Sequence, residues 1–373
     1  MKTGITKTGW ASLVCCGVFS WSLFFDHGSL KAQPASQTGW QQIDSGVEAS
    51  LRGLSVVDAK TVWCSGSGGT VIRTEDGGKT WTNVSVAEAP ELDFRDIHAF
   101  DSRQAVILSA GQPARVYRTK DGGVHWKLAF EHPNKKSFFD ALSFFDAKHG
   151  IAMSDPLDSR VLLIETLDGG HTWAELPALR RPLTERGEAG FAASGTNMRV
   201  IGDDVFIALG GAEENQSETS SRIVVSRDRA QTWQPFEVPM PRNPSRGIFS
   251  MVFANPKNVV VVGGDYLNQG QRTGTAAWSK DGGKTWSPPT GQPPGGYRSG
   301  VAAGKIDGRT FLIAVGPEGT DISHDMGQSW QAASPIGFHA VQFCPAKKTA
   351  WASGAEGAVG RWSGPLPAPS KSK

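Results

Sequence analysis

The sequence predicts an all-β fold, a seven-bladed propeller of four-stranded antiparallel blades, from three observations. A turn motif returns six times at nearly even spacing. The 373 residues include 45 Gly, 22 Pro and 13 Trp and only 20% charged residues, a composition of many short strands rather than of helices or disorder. The last unit of the chain also lacks a strand that its first segment can supply.

The motif reads Thr74-Glu75-Asp76-Gly77-Gly78-Lys79-Thr80-Trp81 and returns as Thr119 to Trp126 around Asp121, and as Thr166 to Trp173 around Asp168. Three more copies are Ser226 to Trp233 with Asp228, Ser279 to Trp286 with Asp281, and Ser323 to Trp330 with Asp325; the first and last of these are degenerate. The aspartates lie 45, 47, 60, 53 and 44 residues apart, which suits one four-stranded blade per repeat. Insertions account for the two longer intervals.

The residue types fit a hairpin between the third and fourth strands of a blade. An Asp carboxylate accepts hydrogen bonds from the N–H groups of its own turn, and Gly takes positive φ without steric cost. The leading Ser or Thr adds a local hydrogen bond, and the Trp buries a large surface between blades. These Asp-boxes are therefore expected to be structural staples. Between them an apolar strand, an Asp or Asn turn, a second strand ending in Gly and a third strand recur, as in Leu54 to Val57, Val62 to Cys64 and Val71 to Arg73.

The C-terminal unit repeats three strands, Phe338 to Phe343, Ala350 to Gly354 and Gly357 to Arg361, with no box and no fourth strand. Gly39 to Ile43 resembles a fourth strand with nothing before it. It is expected to complete the seventh blade, which leaves no open edge. Closure places Cys64 and Cys344 on adjacent blades, where a disulfide or two buried free thiols are the alternatives.

The first residues have the anatomy of a secretory signal. Lys2 and Lys7 precede an apolar run from Trp10 to Phe25, and a polar stretch ends at Ala32. A cleaved signal peptide over residues 1–32 is expected, with a retained anchor as the alternative, since the run falls short of the ~20 residues of a membrane span. Val14 before Cys15 argues against lipidation. Cleavage leaves Cys64 and Cys344 in an oxidising compartment, periplasmic or extracellular. The propeller is assigned to residues 38–363 and a disordered tail to 364–373. A net charge of +2, with no basic run, disfavours nucleic acid.

The run of Asp-Gly-Gly-Lys-Thr-Trp boxes behind an export signal resembles the photosystem II stability and assembly factor-like family over residues 38 to 363. The resemblance implies a seven-bladed propeller on the lumenal or periplasmic side of a membrane. It also implies a non-catalytic assembly role toward newly made membrane subunits. Asp-boxes occur too in sialidases, other propeller glycosidases and sortilin-type receptors, so the box defines the blade and not the activity.

Candidate binding residues come from aligning the first strands. Arg52 in Leu51-Arg52-Gly53-Leu54 matches Arg95, Asp140 and His339, and Arg246 and Arg298 fall close to the equivalent place in blades five and six. The expectation is a rim of Arg52, Arg95, Asp140, Arg246, Arg298 and His339 at one end of the channel, its arginines able to clamp a carboxylate or an acidic peptide. A solvated set of strand-start charges is the plainer alternative.

The enzyme alternative is a glycoside hydrolase. A sialidase needs a nucleophilic Tyr, and only Tyr117, Tyr266 and Tyr297 exist, Tyr117 just ahead of its box. A carboxylate pair would come from Asp140, Glu188 and Asp265. Phosphate-loop, dinucleotide and Cys-x-x-Cys motifs are absent, and the eight His are scattered, so no cofactor and no metal site is expected. Residues 210 to 221 are expected to form a mobile loop on blade four. The function expected is that of a monomeric scaffold that recognises another polypeptide, nascent or membrane-embedded.

Overall fold

The computed structural model describes residues 39–362 except 307 and 346–348. The expected signal peptide and tail lie outside the described residues. Seven antiparallel sheets follow one another along the chain. Their innermost strands are Leu51–Val56, Asp93–Ala99, Phe139–Phe144, Met198–Ile201, Arg246–Phe253, Gly300–Ile306 and Ala340–Phe343. Among the described residues the only helical element is the 3₁₀ turn Ala178–Arg180. No helix among them is long and apolar enough to cross a membrane.

The seventh sheet is built from both ends of the described chain. Trp40–Ile43 pairs antiparallel with Val359–Trp362, Trp40 opposite Trp362 and Ile43 opposite Val359. The N-terminal segment is thus the outer strand of the last blade, and the ring closes as the strand count predicts. Trp40 and Trp362 meet edge to face at 5.2 Å, and the Trp40 Nε1–H donates to Thr320 Oγ1 of blade six at 2.9 Å. Six blades have four strands. Blade five stops at three, its fourth reduced to a bridge between Trp278 and Ser287. Pro288 and Pro289 follow at once and have no N–H for a ladder.

The boxes are the staples that their residue types imply. In the first, the Thr74 hydroxyl donates to Asp76 Oδ1 at 2.9 Å and accepts the Gly78 N–H at 2.9 Å. The carboxylate also takes the N–H groups of Lys79 and Thr80 at 2.9 and 3.0 Å and the Thr80 hydroxyl at 2.7 Å. These bonds, led by the Thr80 N–H, pull the Asp76 carboxyl down to about 2. Asp121 falls equally, led by the His125 N–H. The two degenerate boxes keep the geometry, with Arg229 and Ala230 at φ +56° and +60° and Met326 at φ +58° where the other four have Gly pairs. The first five boxes are each tied to the first turn of their own blade, as in Gly77 N–H to Lys60 O at 3.0 Å and Gly169 N–H to Lys148 O at 2.8 Å. Boxes and first turns therefore share one face of the ring, and the innermost strands begin on the other.

Between blades the box tryptophans pack backwards. Trp81 meets Trp351 of blade seven at 6.2 Å, Trp126 meets Trp63 at 6.4 Å, and Trp330 joins Val260 and Trp278 of blade five. Each seam is one apolar cluster shared by two neighbouring sheets. The cluster between blades seven and one holds Cys64 and Cys344, both buried and both free thiols, beside Ile72 and Trp351. The disulfide alternative is corrected accordingly: the two thiols serve as small apolar groups, and burial pushes the Cys64 thiol up. The loop expected at 210 to 221 is shorter in fact, because Thr219–Ser226 is a strand whose first residues pair with Arg242 and Pro241.

Gly78 sits at this closing seam at φ +83°, and a methyl there would lie 2.6 Å from Trp351 Cη2. Gly46 has φ +72° with nothing within 4 Å. Gly46→Ala is expected to cost ~1 kcal/mol from backbone strain alone, and Gly78→Ala ~2–4 kcal/mol from strain plus overpacking. Denaturant midpoints of the two variants check this; equal losses would mean that the seam yields freely.

Candidate functional site

On the face where the innermost strands begin, a cavity of about 480 Å³ lies over the propeller axis. Its walls come from Arg52 of blade one, Arg95 of blade two, Phe138 and Asp155 of blade three, Phe249 and Tyr266 of blade five, Tyr297 of blade six and His339 of blade seven. The floor is the stretch Ala189 to Ala193 from the connection between blades three and four. That connection crosses the axis. Gly190 N–H donates to Asp155 at 3.0 Å, Ala192 O accepts from Arg95 at 3.4 Å, and the Ser194 hydroxyl donates to Ser299 O of blade six at 2.7 Å. Thr196 then bonds Ser250 of blade five. This crossing strand of chain is a main reason that the interval between the third and fourth boxes is the longest.

The backbone explains why the aligned residues converge. The ladder between first and second strands slips at Arg52, Arg95 and Asp140 in blades one to three. An extra residue there re-aims one side chain out of the pleat and toward the axis. In blade five the slip falls at Phe249, and in blade six the register puts Ser299 at the equivalent place. Arg246 and Arg298 are therefore three residues and one residue out of register, and two of the expected rim residues need correction. Arg246 is buried against Glu218 at 3.1 Å and Thr273 O at 2.5 Å. Arg298 is buried on Asp321 at 2.6 Å and on Tyr297 O at 2.8 Å. Neither lines the cavity.

Arg52 stands apart: among the described residues its guanidinium makes no hydrogen bond and no ion pair. Partial burial, and then the neighbouring Arg95 charge, lower its proton affinity. Arg95 is held by Asp93 at 2.7 Å and lies over the Phe138 ring at 5.9 Å. His339 accepts or donates one bond with Ser50 at 3.3 Å, and its Nδ1 is buried without a partner. Burial first, then Arg52 and Arg95, push the imidazole down to about 3, so it is neutral at neutral pH.

Asp140 is not on the rim. It is fully buried behind the floor, where neither carboxyl oxygen has a partner and a methyl on Gly190 would fall 2.6 Å from its Oδ2. Burial and the nearby Asp155 raise it well above the carboxylate range. Burial also pushes Asp155 up to about 6, against the Gly190 N–H bond that lowers it.

Aromatic rings complete the walls, and sequence reasoning missed most of them. Phe191 stacks on Phe249 at 4.1 Å and 15°, and Phe249 meets Tyr297 edge to face at 4.7 Å. Tyr266 closes on both phenylalanines at 6.2 Å. The signal available was the apolar run Phe191-Ala192-Ala193 inside the longest interval between boxes. Burial raises the Tyr297 phenol, which opposes its use as a nucleophile, and Tyr117 is packed on Phe94 in the core. Of the candidate hydrolase carboxylates, Glu188 is clamped by Arg222, and Asp265 caps its own turn through Leu267 N–H at 3.0 Å. No group of three or more His, Cys, Asp or Glu among the described residues is arranged for a metal.

Fold and cavity together define a closed, seven-bladed Asp-box propeller with a cationic and aromatic cup on its axis. Residues 32–133 match the family described as photosynthesis system II assembly factor YCF48, and residues 277–288 match the BNR/Asp-box repeat. The resemblance carried by the boxes is shown in the sequence of the first blades. Among solved structures the chain is similar to YCF48 from Cyanidioschyzon merolae, at 18% identity and TM-score 0.61 over 87% of this chain and 98% of that one. It is similar also to YCF48 bound to D1 peptide, at 17% identity and TM-score 0.59 over 87% and 94%. The Niastella koreensis GH74 enzyme aligns at 12% identity and TM-score 0.47 over 82% and 62%. No curated protein matches in sequence.

One more buried acid lies under the floor. Asp96 accepts the N–H groups of Ile97 and Leu142 at 2.8 and 2.7 Å, and Gly195, at φ +67°, sits directly on its carboxyl. Burial pushes it up to about 7 despite those bonds. The folded state therefore holds a proton that the unfolded chain releases near 4, so this contribution to stability is full below that value and is lost as pH rises through about 7. Melting temperature is expected to fall between about pH 5 and pH 8, and to fall less in Asp96→Asn; an identical slope in the variant would remove Asp96 from the account.

Proposed function

We propose that this chain is an exported, non-catalytic scaffold that recognises another polypeptide, nascent or membrane-embedded, by holding a carboxylate of that partner in the axial cup. The observation that carries the reading is the Arg52 guanidinium, set on the cavity wall with no partner of its own. A half-buried cation is costly unless an anion completes it, and a guanidinium matches a carboxylate through two parallel hydrogen bonds. Arg95 adds charge from the next blade, and the ring of Phe138, Phe191, Phe249 and Tyr266 offers apolar surface to the adjoining side chain.

The comparisons support a polypeptide as the ligand, since a structure of the same fold is that of YCF48 bound to D1 peptide. The family matched by residues 32–133 is an assembly factor. The apolar run from Trp10 to Phe25 supports export, to the periplasm or exterior, or to the lumen in a photosynthetic host. The glycoside hydrolase reading is weaker: Asp140 and Asp155 are neighbours on one blade that both touch Gly190, not carboxyls facing across a sugar-wide gap.

A fluorescence titration of short apolar peptides, with a free or an amidated C-terminus, tests the clamp. The free acid is expected to bind at least tenfold tighter, a difference that Arg52→Gln abolishes, as suits a charge-assisted pair worth about 1.5–3 kcal/mol. Equal affinities for acid and amide in the unaltered protein would sink the carboxylate reading.

A further inference from the structure

The acidic side of the cup has no use in a simple anion clamp. Asp155 lines the cavity, its Oδ1 taken by the Gly190 N–H and its Oδ2 with no partner among the described residues. Behind it Asp140 is wholly buried with both oxygens unpartnered and its Oδ2 against Gly190. Buried carboxyls without hydrogen bonds are rare and costly in folded proteins, and a cup meant only for an anion gains nothing from them. The free Arg52 and the Asp93-bound Arg95 line the same cavity from blades one and two, Arg95 near enough to lower the buried Asp140, with the aromatic walls adjoining. The wall of this cavity of about 480 Å³ thus presents one cation without an anion and one acid, Asp155, with a single backbone donor, backed by the unpartnered Asp140.

We propose that the cup takes a ligand of both signs: a chain end whose carboxylate meets Arg52 while a basic side chain one residue away meets Asp155, with Asp140 supporting that carboxyl from behind. This rests on the polypeptide reading above and adds a sequence preference to it. The geometry favours Lys or Arg beside an apolar or aromatic final residue, the ring of which lies on Phe249 and Phe191. A purely acidic end would satisfy Arg52 and leave the carboxyl pair facing like charge, a mismatch that opposes binding.

The charged and titratable groups around the pair are few. Blade one contributes Arg52, blade two Arg95 with its partner Asp93, blade seven the neutral His339, and blades five and six the phenols of Tyr266 and Tyr297. On the crossing segment Glu188 is spent on Arg222. Asp155, at about 6, is thus the group whose charge changes as pH falls from neutral to mildly acid.

The test is a titration of fluorescein-labelled decapeptides, identical except for Lys, Leu or Glu before a C-terminal Phe, against the full chain at about pH 7.5 and pH 5. The Lys peptide is expected to bind about tenfold tighter than the Leu peptide at the higher pH, with the Glu peptide weakest. The preference should shrink at pH 5, and should vanish in Asp155→Asn. A formal charge effect of the arginines alone would give the reverse order, Glu tightest. That order, or equal binding of Lys and Leu peptides with the free-acid requirement intact, would overturn the two-sign cup and leave the carboxylate clamp standing. Binding of none of the peptides would remove both. Asp140→Asn, checked for an unchanged circular dichroism spectrum, is expected to weaken the Lys preference without reversing it.

Discussion

Everything on the axis depends on one backbone pairing, that of Trp40–Ile43 with Val359–Trp362. An open array of sheets has no fixed centre, and side chains from first and last blades would drift apart. Closure brings Arg52 of blade one beside His339 of blade seven, where Ser50 and His339 bond across the seam at 3.3 Å. The same seam buries Cys64, Cys344, Trp81 and Trp351 in one cluster. Ladder hydrogen bonds and apolar burial act there together, so the cup inherits its shape from the joint between the chain's two ends.

Within that ring, the slips in the ladder decide which residues serve as walls. Inner strands of a propeller alternate between two neighbouring sheets, and a regular strand would bury residues such as Arg52 and Arg95 between blades or hide them in the pleat. One extra residue at the same point in blades one, two, three and five turns a single side chain toward the axis. The four so placed are Arg52, Arg95, Asp140 and Phe249; the two arginines and the phenylalanine reach the wall of the cup, while Asp140 stays buried behind its floor and the acid on the wall is Asp155 of the next strand.

The architecture was legible in the sequence because each box carries its own turn chemistry, visible without knowledge of neighbours. Asp76, Asp121 and Asp168 with their Gly pairs announce a hairpin wherever they occur, and their spacing counts blades. The unpaired strand at Trp40 announced closure for the same reason. The site was only half legible. Arg52, Arg95 and His339 could be aligned because blades one, two and seven share a motif from Leu, Phe or Phe onward. Arg246 and Arg298 could not, since their place depends on registers that only the pairing of blades five and six defines, and the neutralising Glu218 and Asp321 lie 28 and 23 residues away in sequence. Phe191 owes its place to a connection that crosses the axis, a path no local pattern encodes, and Asp155 lies at the end of a second strand, outside the aligned first strands.

That crossing connection has a consequence for how anything enters. A propeller with an open bore admits a filament from either side and lets it slide. Here Gly190 to Thr196 spans the bore, tied to blades two, three, five and six. The ring is therefore a thimble and not a bead: a chain bound as proposed would enter by its tip, one tip at a time, and leave by backing away along the path of entry. On the proposed reading such a device senses where a chain stops and is indifferent to how long the chain is.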